Sequence, residues 1–290
     1  MHTTLVSVDE LAAALNALDA ASCWVVIDCR HDLAHPEAGE AAWRAGSVPG
    51  ARFAHTDRDL SGMQTGANGR HPLPTREGFA AFLANAGVAD ATQIVAYDAS
   101  DGIYAARLWW LAKWIGHDAV AVLDGGLPAW QRAGLPVDAH SPALCNADKT
   151  RLALAIGPSR VAAAEASEVE ANLASRERLV VDARSPERYR GDVEPLDAVG
   201  GHIPHAVNRH YKNNFDAGGR FKPASQLRAE FDALFDGRAA GSIVHQCGSG
   251  VTACHNLLAM EIAGLPGAAL YAGSWSEWCS DPKRPVARGA

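Results

Sequence analysis

Residues 245 to 256 read HQCGSGVTACHN. A thiol, Cys247, ends a short apolar run and is followed by Gly248, Ser249 and Gly250, then by Val251 and Thr252 at the head of a helical pattern. Val251, Cys254, Leu258 and Ile262 recur at helical spacing, and Gly264 with Pro266 supplies a stop, so a helix with one apolar stripe should begin just past the loop. Cys254 then belongs to the core, while Cys247 stands at the helix's N-terminal mouth. There the glycines let successive backbone N–H groups from Gly248 to Thr252 curl around a sulfur, and the helix dipole adds partial positive charge. Thiols in such places ionise at about 3.5–7.5 instead of about 8.5. The expected chemistry is that of a reachable, nucleophilic thiolate; the alternative is a buried thiol that only packs.

A strand, a cysteine loop and a helix serve two chemistries. A cysteine phosphatase needs an arginine six residues beyond its nucleophile, because a fixed guanidinium fork neutralises the transferring phosphoryl group. That position is Ala253, and no Lys or Arg follows Cys247 until Lys283. A ring of neutral amides suits instead a monoanion seated on the cysteine itself, such as a persulfide.

The elements that must hold this loop occur twice. WVVIDCRHD at 24–32 is echoed by LVVDARSPE at 179–187, with Asp28 and Arg30 matching Asp182 and Arg184. GSVPGA at 46–51 is echoed by GHIPHA at 201–206, the stretch 93–116 by 242–264, and AVAVLDGGLPAW at 119–130 by GAALYAGSWSEW at 267–278. Four blocks in one order indicate a tandem duplication. Each copy alternates short Val/Ile-rich runs with helical stretches, so the fold class is α/β, with two parallel sheets flanked by helices. Domains are expected over 1–137 and 158–290, joined by a surface linker over 138–157 that contains Pro142 and lacks a sustained period. The repeated Asp-x-Arg is read as a structural pair, since both copies keep it.

Bulk properties narrow the partners. Among 290 residues, 26 Lys+Arg against 33 Asp+Glu give a formal charge of −7, which offers no bulk attraction to nucleic acid or an anionic membrane. Six cysteines without a Cys-x-x-Cys pair or zinc spacing imply no metal and reduced thiols. Asp9 and Glu10 fit an amphipathic first helix and not a secretory signal, and Leu108 to Ile115 is too short to span a bilayer. A cytoplasmic monomer is expected.

These motifs, over nearly the whole chain, resemble the two-domain rhodanese family. Cys-Gly-Ser-Gly-Val-Thr at 247–252 is similar to the active loop of its 3-mercaptopyruvate sulfurtransferase branch, where thiosulfate sulfurtransferases usually carry basic residues. The resemblance implies that Cys247 accepts sulfur as a persulfide and that Gly248, Ser249, Gly250, Val251 and Thr252 form its anion cradle. It also implies a catalytically silent first domain, which has Asp98 in the place of Cys247 and whose face completes the cleft. Arg188, in ERYRG, matches the family arginine that binds the donor's carboxylate or sulfonate, as against a solvated loop charge. Asp57 and His71 match first-domain residues that work with Ser249 as a proton relay, as against a hydrogen-bonded domain contact. One departure stands out: the branch often has a second substrate arginine in a Glu-Pro-Arg-Asp run, and this chain reads Glu194-Pro195-Leu196-Asp197. Arg190, Arg52 and Arg58 are the candidates to compensate. No cofactor is implied. The expected reaction is ping-pong transfer of sulfur from 3-mercaptopyruvate, releasing pyruvate, to a thiol, cyanide or a reduced thioredoxin-like partner. The rivals are thiosulfate as donor, a low-turnover persulfide carrier and, more remotely, a phosphatase.

Overall fold

The computed structural model of the chain describes residues 1–17, 24–139 and 154–289. Cys23, Cys145 and residues 140–153 of the expected linker lie outside the described residues. The chain divides into two compact units, one of Met1–Gly62 with Pro74–Arg160, the other of Met63–Leu73 with Val161–Ala290. The eleven residues 63–73 thus belong with the second unit although they interrupt the first in sequence.

The α/β reading holds in both units. The first has strands β1 (Leu5–Val6), β2 (Trp24–Asp28), β3 (Arg52–Phe53), β4 (Gln93–Tyr97) and β5 (Val120–Leu123) in the order β1-β5-β4-β2-β3. The second has β6 (Ala162–Ala164), β7 (Leu179–Asp182), β8 (Val207–Asn208), β9 (Ile243–Gln246) and β10 (Ala269–Tyr271) in the order β6-β10-β9-β7-β8. All pairs are parallel, and the duplicated sequence reappears as duplicated register: Asp28 stands opposite Tyr97 as Asp182 stands opposite Gln246. A parallel sheet needs helical crossovers that cover its faces, which is why its central strands, QIVAY and IVHQ, are buried along their whole length.

The expected first helix forms over Val8–Asn16, and Ser7 caps it in a capping box with Glu10. Arg30 Nη2 donates to Asp28 Oδ2 at 2.6 Å and to Gly46 O at 2.7 Å, and Arg184 Nη2 repeats both bonds to Asp182 Oδ2 and Gly201 O at the same lengths. Each pair ties the end of a central strand to the loop that carries the next repeated block, so it fixes architecture in both copies. The core of the first unit gathers Leu11, Val26, Val95 and Trp130, and that of the second Val169, Val244, Trp275 and Trp278.

The helix after Cys247 departs from the single-stripe expectation. It runs Thr252–Ile262 and is buried without a break from Ala253 to Met260, while Ile262 is only half-buried. Its polar members are bonded inside: Asn214 Nδ2 donates to Asn256 Oδ1 at 2.7 Å, and Asn256 Nδ2 donates to Arg209 O at 3.0 Å. Among the described residues no helix is long and apolar enough to cross a membrane.

Candidate active site

Cys247 follows directly on β9, at the carboxyl end of the central strand where open α/β sheets place their ligand sites. The turn after β10 anchors it. Cys247 N donates to Ser274 Oγ at 3.1 Å, Ser274 Oγ donates to Tyr271 O at 2.8 Å, and Trp275 N and Ser276 N donate to Cys247 O and Gly248 O at 3.0 and 2.9 Å. Ser274 holds φ 55°, a left-handed conformation that costs a non-glycine residue energy and places its hydroxyl between the two loops. Gly250 has φ 77°, and a Cβ there would come within 2.4 Å of Ala272 O, so the position requires glycine. Val251 is buried, Thr252 opens the helix, and Cys254 lies fully buried with Sγ donating to Gly250 O at 3.2 Å.

The sulfur does not stand open to solvent as the sequence leads one to expect; Cys247 is only 2% exposed. Charged groups stand beside the next residue of the loop. A Cβ on Gly248 would lie 2.9 Å from Arg70 Nη2 and 3.4 Å from both Arg188 amino groups. Arg184 is a third guanidinium nearby. Burial acts to lower its pKa, but attraction and a hydrogen bond from Asp182, with further attraction from Glu194 and Cys247, hold it above the usual arginine value. The loop's own residues are neutral, as read from its letters, yet arginines arrive near it from elsewhere in the chain, each paired with a carboxylate.

Acidic residues fix these arginines. Glu194 takes Arg188 in a fork, with Nη2 donating to Oε1 at 2.6 Å and Nε to Oε2 at 3.2 Å, and it also accepts from Arg184 Nη1 at 3.3 Å. Burial pushes the Glu194 carboxyl up, but Arg188 and the Leu196 amide outweigh it and leave the net shift downward. Asp197 forms a close ion pair with Arg70 Nη1 and lies 3.5 Å from Arg188 Nη2. Leu196 is exposed. Arg190 is turned to Asp192, its Nε donating to Oδ2 at 2.8 Å, and Arg58, in the first unit, pairs with Glu40 at 2.7 Å; Arg52 lies on β3 of that unit.

Two of the three expected relay residues meet: His71 Nδ1 is 2.7 Å from Ser249 Oγ, and both are buried. Asp57 belongs to the first unit, where a ligand atom of each of His31, His55 and Asp57 lies within 4.8 Å of the others. Asp57 N donates to His55 Nδ1 at 3.1 Å, so in the neutral ring the proton sits on Nε2, 3.6 Å from Glu37 Oε1. That ring is set to donate, which does not suit a metal ligand at Nε2.

Sequence reasoning missed Arg70, Ser274 and the tethering role of Asp197. Ser274 carried a signal, because it aligns with Gly126 of the first copy, which is left-handed at φ 57°. Arg70 carried none, lying 127 residues from its partner Asp197.

Comparison with known proteins follows the same repeat. The model of the Rhodanese-like domain matches residues 7–133 and again 165–281. The chain is 43% identical over 287 residues to a Pseudomonas aeruginosa protein described as "Probable 3-mercaptopyruvate sulfurtransferase", covering 98% of each. It is 36% identical over 282 residues to the 3-mercaptopyruvate sulfurtransferase of Homo sapiens, covering 94% of this chain and 91% of that one. The structure of the 3-mercaptopyruvate sulfurtransferase from Leishmania major superposes with a TM-score of 0.80 at 27% identity, over 98% of this chain and 75% of that one.

Proposed function

We propose, from the premise that this chain belongs to the rhodanese family and is a sulfurtransferase, that Cys247 carries the sulfur as a persulfide and takes it from 3-mercaptopyruvate. The Cys247 thiolate attacks the donor's sulfur, an S–S bond forms, and the donor's C–S bond breaks with its electron pair passing to carbon as the enolate of pyruvate. Protonation of that enolate gives pyruvate. The donor's S–H proton is the natural source, which leaves the persulfide as an anion among the amides of Gly248 to Thr252. Ser249 and His71 stand ready to carry that proton, and Asp57 is assigned to the same relay by family resemblance. A thiol, cyanide or a reduced thioredoxin-like protein then attacks the outer sulfur and restores the Cys247 thiolate, so the kinetics are ping-pong.

The observation that supports this donor most directly is Arg188, which Glu194 orients with its second amino group against Gly248, next to the nucleophile. A fixed guanidinium with neutral loop amides favours a donor whose charge is a carboxylate set apart from the reacting sulfur. Domain limits of 1–137 and 158–290, a cytoplasmic location and a monomeric state belong to the same proposal. Intact-mass measurement after incubation with 3-mercaptopyruvate or thiosulfate tests it: a gain of one sulfur atom mapped to Cys247, faster with 3-mercaptopyruvate, is expected. Faster loading from thiosulfate reverses the donor order, and loading without turnover to thiols or cyanide makes the protein a carrier.

A further inference from the structure

We propose that Ser276 is a positioning residue for the proton relay, holding His71 against Ser249 by gripping the chain beside both. The role rests on the relay assigned to Ser249 and His71. Ser276 is buried in the turn after β10. Its amide donates to Gly248 O at 2.9 Å, and its hydroxyl oxygen accepts from Arg70 N at 3.0 Å. Gly248 directly precedes Ser249, and Arg70 directly precedes His71. Ser276 thus bonds the neighbour of each relay partner, and the 2.7 Å contact between His71 Nδ1 and Ser249 Oγ closes the ring. Both grips are on main-chain atoms, so they fix where the backbone runs at each loop. The hydroxyl proton is spent on Gly273 O at 3.2 Å, which leaves the oxygen's lone pairs for the Arg70 amide.

The 63–73 segment is shaped to come this close. Gly69 holds φ 82°, and a Cβ on it would lie 2.6 Å from Gly273 O and 3.0 Å from Ser276 Oγ, so glycine is what lets the segment reach the turn. The first copy lacks the device. Aligning AVAVLDGGLPAW with GAALYAGSWSEW puts Pro128 in the place of Ser276, and proline has neither the N–H nor the hydroxyl. Leu127 N still bonds Asp98 O at 2.9 Å, as Trp275 N bonds Cys247 O at 3.0 Å. The first rung of the joint is therefore common to both copies and serves the fold. The second occurs only in the copy where a histidine must be held to the cysteine loop.

A double-mutant cycle tests the role. Wild type, Ser276→Ala, Ser276→Pro, His71→Asn and the double variant Ser276→Ala/His71→Asn are assayed for kcat and KM with 3-mercaptopyruvate, and folding is followed by thermal melting. Ser276→Ala should lower kcat about 5- to 20-fold, because it frees the residue before His71 while leaving the cysteine loop bonded through the amide. Ser276→Pro, which carries the first copy's residue and cuts both grips, should lower kcat further. In the His71→Asn background Ser276→Ala should change kcat less than about twofold, since a histidine already removed cannot be misplaced. The role is overturned by a wild-type kcat in Ser276→Ala. It is equally overturned by a loss as large in the His71→Asn background as outside it, which would make Ser276 support for the cysteine loop alone. Should Ser276→Ala not fold, Ser276→Pro takes its place in the cycle, and a wild-type kcat or a fully additive loss there overturns the role. A His71→Asn enzyme with wild-type kcat overturns the relay and the positioning role with it, a result separate from failure of the positioning role alone.

Discussion

Asp98 and Cys247 occupy the same place in the two copies, each directly after the central strand of its sheet. The Asp98 carboxylate is buried and accepts four backbone N–H bonds, from Ser100, Gly102, Tyr104 and Ala105 at 2.8 to 3.0 Å. Burial raises its carboxyl above the ordinary value while the four amides pull it back. Asp98 O accepts from Leu127 N at 2.9 Å, just as Cys247 O accepts from Trp275 N at 3.0 Å. In the first copy, a strand running into a helix through a small-residue loop thus holds a carboxylate on backbone amides, and the same cradle is what we propose for the sulfur of the second. In the first copy the chain fills that cradle with its own carboxylate. In the second the residue is a thiol; both helices begin five residues further on, at Ile103 and Thr252, but the left-handed positions are Asp101 and Gly102 in the first copy and Gly250 in the second. On the proposed function, the difference between a structural loop and a reactive one is a single side chain and its neighbours.

The sharpest way to break the comparison is to make the copies alike. Cys247→Asp should leave a folded protein, by circular dichroism, that forms no persulfide and loses transfer by at least about 10³-fold. Turnover near wild type in that variant would remove Cys247 from the reaction. Cys254→Ser, altering a core thiol, should keep transfer within a few-fold. Next in size is His71→Asn, which should lower kcat about 100-fold with KM little changed; an unchanged kcat would make the His71–Ser249 contact structural. Smaller again are the two glycines. Gly250→Ala combines a positive φ with a Cβ at 2.4 Å from Ala272 O, whereas at Gly102 the nearest atom to a Cβ is Val122 Cγ1 at 3.8 Å. Denaturant unfolding should show a cost of about 3 kcal/mol or more at Gly250 and about 1 kcal/mol at Gly102; equal costs would mean the two loops are equally tolerant.

The comparison also shows what the sequence could tell. The duplicated blocks determine two sheets of one strand order, and Asp28–Arg30 with Asp182–Arg184 give the same pairing twice, because short Val/Ile-rich runs and short motifs act locally. The position of Cys247 between strand and helix was legible for the same reason. The arginines at Gly248 were not. Arg70 comes from a loop without periodicity, and nothing in GRHPLP says which distant backbone it will approach. The buried faces of the Thr252–Ile262 helix were hidden differently: His255 and Asn256 look like solvent-facing letters, but Asn214, in the turn Tyr211–Asn214, meets them in the interior, its Nδ2 lying 3.0 Å from His255 Nδ1. Polar residues satisfied by other polar residues read as surface until the partner is known.

A further expected effect concerns pH and distinguishes the central strands. Where β4 has Ala96, β9 has His245, fully buried, with Nε2 3.0 Å from Met260 Sδ and no partner at Nδ1. Burial, with some repulsion from Arg209, lowers its pKa from the usual 6.5 to about 3. Between these values the unfolded chain binds a proton that the folded chain refuses. The contribution to stability is thus whole above about pH 6.5, is lost as pH falls, and is exhausted near pH 3. Between pH 7 and pH 5 the loss from this one group is about 2 kcal/mol. His245→Leu keeps the site filled and removes the titration, so denaturant unfolding of this variant should depend less on pH over that range than wild type by about that amount. Ala96 offers no such proton to the first unit, and amide exchange at pH 5 should show the β9 core opening more readily, relative to pH 7, than the β4 core. Equal acid response of the two cores, or an undiminished pH dependence in His245→Leu, would place the sensitivity outside this histidine.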